Sequence, residues 1–201
     1  MKGLKALLLI LAFLPPVRSE AARPTAEIQS TVEKVIQILK DPSLRSEAKK
    51  KERRAELRRV ISSRFDFSEM AKRSLGSQWR RLTPQQREEF VQLYTELLEQ
   101  AYVDRVESYS DEKFAYLKEN HDGRYAEVES KIITRKSEEF LLNYRLHLVG
   151  GEWKVYDVII ENISLVNNYR SQFNRIMANS SYEELLRKLR QKQTEISGAK
   201  K

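Results

Sequence analysis

The stretch Trp153-Lys154-Val155-Tyr156-Asp157-Val158-Ile159-Ile160-Glu161-Asn162-Ile163-Ser164-Leu165-Val166-Asn167-Asn168-Tyr169-Arg170-Ser171-Gln172-Phe173 decides the fold. It opens as a strand rich in β-branched and aromatic residues. It ends as a helix, with Ser164 placed at the N-cap. Asp157 and Glu161 stand near the end of the strand. Two acidic residues there raise a choice between an active site and the wall of a pocket.

Upstream, Gly150-Gly151 makes a tight hairpin between this strand, Glu152–Ile160, and another over Glu139–Val149. In the latter, Phe140, Leu142, Tyr144, Leu146 and Leu148 alternate with Leu141, Asn143, Arg145, His147 and Val149. Residues 125–134 read as a further strand and 114–117 as a short first one, with Asn120-His121-Asp122-Gly123 as the turn between them. Four successive strands without helices between them predict an antiparallel meander. Helices before and after it make the class α+β.

The helices are signalled by period and caps. Ile28, Val32, Val35, Ile36 and Leu39 predict an amphipathic helix over 25–40, ended by Asp41-Pro42. A second is predicted over 44–62, with Leu57, Val60 and Ile61 on its apolar side. Its run of Arg45, Lys49, Lys50, Lys51, Arg53, Arg54, Arg58 and Arg59, broken by Glu47, Glu52 and Glu56, reads as a solvated face laced with ion pairs. The sharper alternative is a docking face for an acidic partner or membrane surface. Asp66 and Glu69 form a capping-box pattern for a helix that stops at Leu75-Gly76. Thr83-Pro84-Gln85-Gln86 opens the longest helix, to about Tyr109, with Phe90, Leu93, Tyr94, Leu97, Leu98, Ala101, Tyr102 and Val106 on one wide apolar face. After a helix over 165–178, Ser181 caps a last one, and the polar tail from Gln191 is expected to fray.

The N-terminus bears on compartment. Lys2 and Lys5, an apolar run from Leu4 to Leu14, and Ser19 and Ala21 have the layout of a secretory signal cleaved after Ala21. The run is too short to span a bilayer, which takes about 20 apolar residues. Residues 22–201 are then expected to form one soluble domain, large enough to bury a core. The chain has no cysteine, which excludes disulfides, thiolate metal sites, a cysteine nucleophile and a lipoprotein anchor. Its formal net charge of +8 falls to +6 once Lys2, Lys5, Arg18 and Glu20 are removed. For an exported chain this balance suggests anionic lipid or an acidic protein surface rather than nucleic acid.

The inventory for catalysis is thin. His121 and His147 lie in no metal-ligand spacing, no glycine loop could cradle a phosphate, and no G-x-S-x-G elbow exists. Asp66 is better explained as a cap. Asp157, read as sharing a strand face with Trp153, Val155 and Ile159, is either a general base of raised pKa or a polar anchor. No metal and no cofactor is expected.

Two blocks of residues carry a family resemblance. Phe65-Asp66-Phe67-x-x-Met70-Ala71-x-x-x-Leu75-Gly76-x-x-Trp79 is followed by Leu82-Thr83-Pro84-x-Gln86-x-x-x-Phe90 and Leu97-x-x-x-x-Tyr102. Trp153-x-Val155-Tyr156-Asp157-Val158 continues through Ser164-Leu165 to Asn168-Tyr169-Arg170-x-x-Phe173. Together they resemble the MlaC, or toluene-tolerance, family, over roughly residues 28–189. One departure is Asn162, where the family usually has glycine; asparagine also tolerates left-handed backbone.

The resemblance implies a four-stranded sheet with an NTF2-like core, wrapped by helices around an apolar pocket for acyl tails. It implies a monomeric periplasmic shuttle that carries phospholipid, its bound ligand. The partners implied are an outer-membrane lipoprotein complex and an inner-membrane ABC transporter with its lipid-binding subunit. A hopanoid or other apolar lipid is an alternative cargo. From different classes come a small acid/base enzyme using Asp157 and an interaction module with a solid interior. The residues expected to line a pocket are Leu93, Leu97 and Ala101 of the long helix, Leu142, Tyr144, Val155 and Ile159 of the strands, and Leu165, Tyr169 and Phe173 of the final motif. Arg170 is expected to pair with Glu161 or to sit at the pocket mouth near a phosphate.

Overall fold

Thr83 and Gln86 cap the longest helix as their spacing requires. The Thr83 hydroxyl accepts the Gln86 N–H at 3.2 Å, and the Gln86 side chain accepts the Thr83 N–H at 2.9 Å. The computed structural model describes residues 23–198. The expected signal at residues 1–21 lies outside them.

Among the described residues six α-helices flank one sheet. They are α1 (Pro24–Lys40), α2 (Lys50–Arg64), α3 (Phe67–Leu75), α4 (Pro84–Glu107), α5 (Leu165–Asn179) and α6 (Tyr182–Gly198). Short 3-10 turns occupy Pro42–Leu44, Glu47–Lys49 and Gly76–Arg81. The second helix therefore begins later than the sequence suggested, and Arg53 Nη1 takes the Leu44 carbonyl at 2.8 Å. The last helix does not fray at Gln191. Gln193 Nε2 donates to the Leu93 carbonyl at 3.0 Å, and Ile196 packs against the helical core. The capping box at Asp66 is half formed. Its Oδ1 accepts the Glu69 N–H at 2.9 Å, but the Glu69 carboxylate turns to Lys72 and Arg73.

The sheet is an antiparallel meander in the order β1 (Lys113–Asp122), β2 (Tyr125–Ile133), β3 (Glu139–Val149), β4 (Glu152–Ile160) and β5 (Ile163–Ser164). There are five strands, not four. The fifth is two residues long, too short to show a period, and Ile163 pairs with Ile160. Glu161 and Asn162 between them have φ of 48° and 65°, the left-handed pair a two-residue hairpin needs. Asn162 adopts this conformation without being glycine. Strand β1 runs ten residues rather than four. Its polar half from Lys118 to Asp122 pairs along β2, which moves Asn120, His121 and Asp122 out of the turn. A backbone ladder needs no apolar side chains, so apolar alternation alone missed it.

Two apolar clusters hold these layers together. In the helical one, α3 to α6 enclose Phe90, Tyr94 and Phe173, with the Phe173 ring edge-on to Phe90 at 5.6 Å and to Tyr94 at 5.9 Å. Each such ring contributes about 1.5–3 kcal/mol by leaving water. In the second, Ile28 and Val32 of α1 pack on one face of the sheet.

That face is set by a bulge. Leu146 pairs with Val155 and Arg145 with Asp157, so Tyr156 is an extra residue on β4. The extra residue shifts the alternation by one. Trp153 and Val155 therefore share a face with Val158 and Ile160, opposite Leu148, Leu146, Tyr144 and Leu142 of β3. Asp157 and Ile159 point to the other face. The expectation that Asp157 shares a face with Trp153 and Val155 is corrected accordingly.

Candidate functional site

The apolar face so produced is only partly covered. Helix α1 lies over one end of it. At the other end, between α2, α4 and the sheet, is a cavity of about 680 Å³. Leu142 and Tyr144 of β3 and Val158 and Ile160 of β4 form its floor. Leu57 and Ile61 of α2 form one side, and Leu98, Tyr102, Val103 and Val106 of α4 the other. Phe65, Phe67, Met70 and Leu165 close the inner end. The volume is that of a site able to enclose a ligand of a few tens of atoms.

The polar lining is confined to the facing edges of two helices. Arg54 and Arg58 come from α2, and Glu96, Glu99 and Gln100 from α4. Arg58 lines the cavity and yet its side chain is 66 % exposed, which marks where the cavity meets solvent. Arginines cross this opening. Arg53 Nε and Arg54 Nε donate to the two oxygens of Glu107 at 2.8 and 2.9 Å, and Arg54 Nη2 reaches Asp104 at 2.7 Å. Arg58 Nη2 lies 2.8 Å from Glu99 Oε2. Elsewhere on the charge run the pairing is local, as in Lys49–Glu52, Lys50–Glu47 and Arg59–Glu56. The run is thus a paired helix face, with one edge used to span the cavity.

Electrostatics separate the spanning pairs. Burial pushes the Glu107 carboxyl up, but hydrogen bonds from Arg54 and Arg53 outweigh it and hold the group below its usual range. At Glu99 burial wins. Its carboxyl lies above the usual range despite the lowering by Arg58, and Glu96 adds to the rise.

Of the residues expected to line a pocket, Leu142, Tyr144 and Leu165 lie in the cavity wall. Leu93, Leu97 and Phe173 are instead buried in the helical core, with Tyr169 packed against it. They pack with residues of α3 and α6, whereas Leu98, Tyr102 and Val106 also reach the cavity. Ala101 is half-buried and outside the lining. Val155 sits in the sheet-side core and pairs with Phe65. Ile159, carried to the far face by the bulge, borders a shallow recess with Arg145 and Ile163. The sequence reading missed Leu57, Ile61, Val103 and Val106 as lining. The signal available was Leu57 and Ile61, four apart on the apolar side of a charged helix.

Asp157 lies outside the cavity and is almost fully buried. One oxygen accepts the Ser164 hydroxyl at 2.6 Å, the other the Val166 N–H at 3.1 Å, and Arg145 approaches to 3.5 Å. These bonds anchor the start of α5. Arg170 neither pairs with Glu161 nor lies among the residues lining the cavity. Its Nε donates to the Arg73 carbonyl at 2.8 Å, near the end of α3, while Glu161 bonds to the Leu141 backbone. Among the described residues no group of three or more His, Asp and Glu is placed to hold a metal, and no helix is long and apolar enough to cross a membrane.

A family model described as MlaC protein matches residues 29–191. The toluene tolerance protein ttg2D of Pseudomonas putida is 25% identical over 171 residues, covering 84% of this chain and 80% of that protein. The intermembrane phospholipid transport system binding protein MlaC of Haemophilus influenzae is 28% identical over 122 residues, which are 58% of this chain and 57% of that one. Among solved structures, a phospholipid-binding protein from Ralstonia solanacearum, in complex with a phospholipid, superposes with a TM-score of 0.79 at 24% identity. That likeness of fold covers 88% of this chain and 99% of the other.

Proposed function

The chain belongs to the MlaC family, and from that premise we propose that it is a carrier that holds phospholipid acyl chains in the cavity between α2, α4 and the sheet. The observation that carries the reading is the cavity itself, apolar on its floor and inner end and charged only where it opens. Two acyl chains of roughly 30 methylenes in all would cost on the order of 20 kcal/mol to expose to water, at ~0.8 kcal/mol each. A lipid therefore crosses an aqueous gap quickly only if its tails are covered. Such a carrier requires apolar walls and no acid/base constellation, and the engagement of Asp157 with Ser164 and Val166 fits a carrier better than an enzyme.

In this reading the carrier works in the periplasm after loss of residues 1–21, as a monomer of one domain. It passes lipid between an outer-membrane lipoprotein complex and an inner-membrane ABC transporter with its lipid-binding subunit. The name of the Haemophilus relative and the lipid in the Ralstonia complex support the cargo class. The residues proposed to contact acyl chains are Leu57, Ile61, Val103, Val106, Leu142, Tyr144, Val158, Ile160 and Leu165.

The test is transfer of a labelled phospholipid from donor to acceptor vesicles. The rate is expected to rise in proportion to added protein. A rate indistinguishable from the protein-free control would count against carriage.

A further inference from the structure

Among the described residues only two cations, Arg54 and Arg58, line the cavity, one helical turn apart on the same edge of α2. They are not equally available. Arg54 is committed to Glu107 and Asp104 and is largely covered. The Glu107 side chain that also binds Arg53 is only 11% exposed, so this network is closed. Arg58 makes one ion pair among the described residues, its Nη2 lying 2.8 Å from Glu99, and its side chain stands mostly in solvent where the cavity opens. Its guanidinium carries five N–H donors in a planar fork, and the side chain that bears them is 66% exposed. The partner it does have, Glu99, is a poorly compensated carboxylate, held high by burial and by the neighbouring Glu96.

A lipid seated with its tails on Leu142, Val158 and Ile160 must leave its polar end at this opening, because burying a phosphate without partners is prohibitive. We propose that Arg58 is the phosphate site of this carrier: its guanidinium leaves Glu99 and takes the phosphodiester oxygens of the bound lipid. A guanidinium fork matches a phosphate in a bidentate manner. The site then reads the phosphodiester rather than the net charge of the headgroup, so zwitterionic and anionic phospholipids are both accepted and diacylglycerol is disfavoured. This rests on the lipid-carrier reading above.

The experiment is displacement of a fluorescent phospholipid from the full chain by three competitors: dihexanoylphosphatidylcholine, dihexanoylglycerol and inorganic phosphate. With the natural chain, the phospholipid should compete about tenfold better than the diacylglycerol of the same tails, the worth of one charge-assisted hydrogen-bond pair. Arg58→Gln should bring the phospholipid down to the level of the diacylglycerol and leave the latter unchanged. Arg58→Lys should fall between, and Glu99→Gln should widen the preference. Arg58 is exposed, so loss of folding is not expected, and unchanged diacylglycerol competition verifies it. An unchanged preference in Arg58→Gln, or a narrowed one in Glu99→Gln, would overturn the proposal. Displacement by millimolar inorganic phosphate alone would also overturn it, by making free phosphate the ligand. Failure of the fluorescent lipid to bind any form of the chain would overturn the carrier reading itself, and the Arg58 assignment with it.

Discussion

Asp157 and Ser164 are joined by a 2.6 Å hydrogen bond across the β4–β5 turn, and Ser164 in turn accepts the Asn167 N–H at 3.0 Å as the cap of α5. The bond ties the last long strand to the helix that follows, on the face of the sheet turned away from the cavity. Of the two roles the sequence left open for Asp157, general base or polar anchor, these bonds fit the anchor.

Asp157→Asn should therefore lower the stability by about 1–3 kcal/mol, because an amide N–H would replace one charged acceptor in a buried site. Urea unfolding measures this, with lipid displacement below the transition as the second readout. Unchanged lipid binding is expected. Lost binding at full stability would return Asp157 to the functional site.

Helix α4 has a core edge and a cavity edge, and substitutions should tell them apart. Leu97→Ala, in the helical core, should cost about 2–5 kcal/mol and leave the bound lipid unchanged. Val103→Trp, on the cavity wall, should displace lipid and cost little stability, because the added volume enters existing space. A penalty of about 1–3 kcal/mol at Val103, the mark of overpacking, would mean that the space is not available to a side chain.

Two of the acidic residues bridged to α2, Glu107 and Glu99, should respond to pH in opposite directions. The Glu107 carboxyl is held below its ordinary value of 4.5, so its contribution is present above that pH and is lost as pH falls through the folded value. Glu107→Gln should lower the urea midpoint at pH 7, with the difference shrinking below about pH 4.5. The Glu99 carboxyl is raised, so ionising it opposes folding at neutral pH and ceases to do so in acid. Glu99→Gln should raise the midpoint at pH 7, with the gain shrinking on acidification. A Glu99→Gln penalty greater at pH 7 than in acid would contradict the burial account of that residue.

Much of the architecture was legible because it is local. Thr83 with Gln86, Asp66 and Ser164 each cap the helix their spacing announces, and Gly150-Gly151 turns the hairpin it was assigned. What escaped depends on pairing between strands. The bulge at Tyr156 exists only in register with β3, so alternation read along β4 placed Asp157 and Ile159 on the wrong face. The division of α4 into core and cavity edges escaped for a related reason. Leu97 and Leu98 are adjacent, equally apolar and both buried, yet only Leu98 meets the cavity. Periodicity reports that a side chain leaves water, not whether what it meets is another side chain or a space.

The central claim is that the cavity between α2, α4 and the sheet holds phospholipid. Gentle purification of the full chain from lipid-replete cells, followed by organic extraction and lipid mass spectrometry, tests it most directly. The account predicts phospholipid in fixed proportion to protein, reduced in Val103→Trp and unchanged in Leu97→Ala. Protein that is reproducibly free of lipid under those conditions would contradict it.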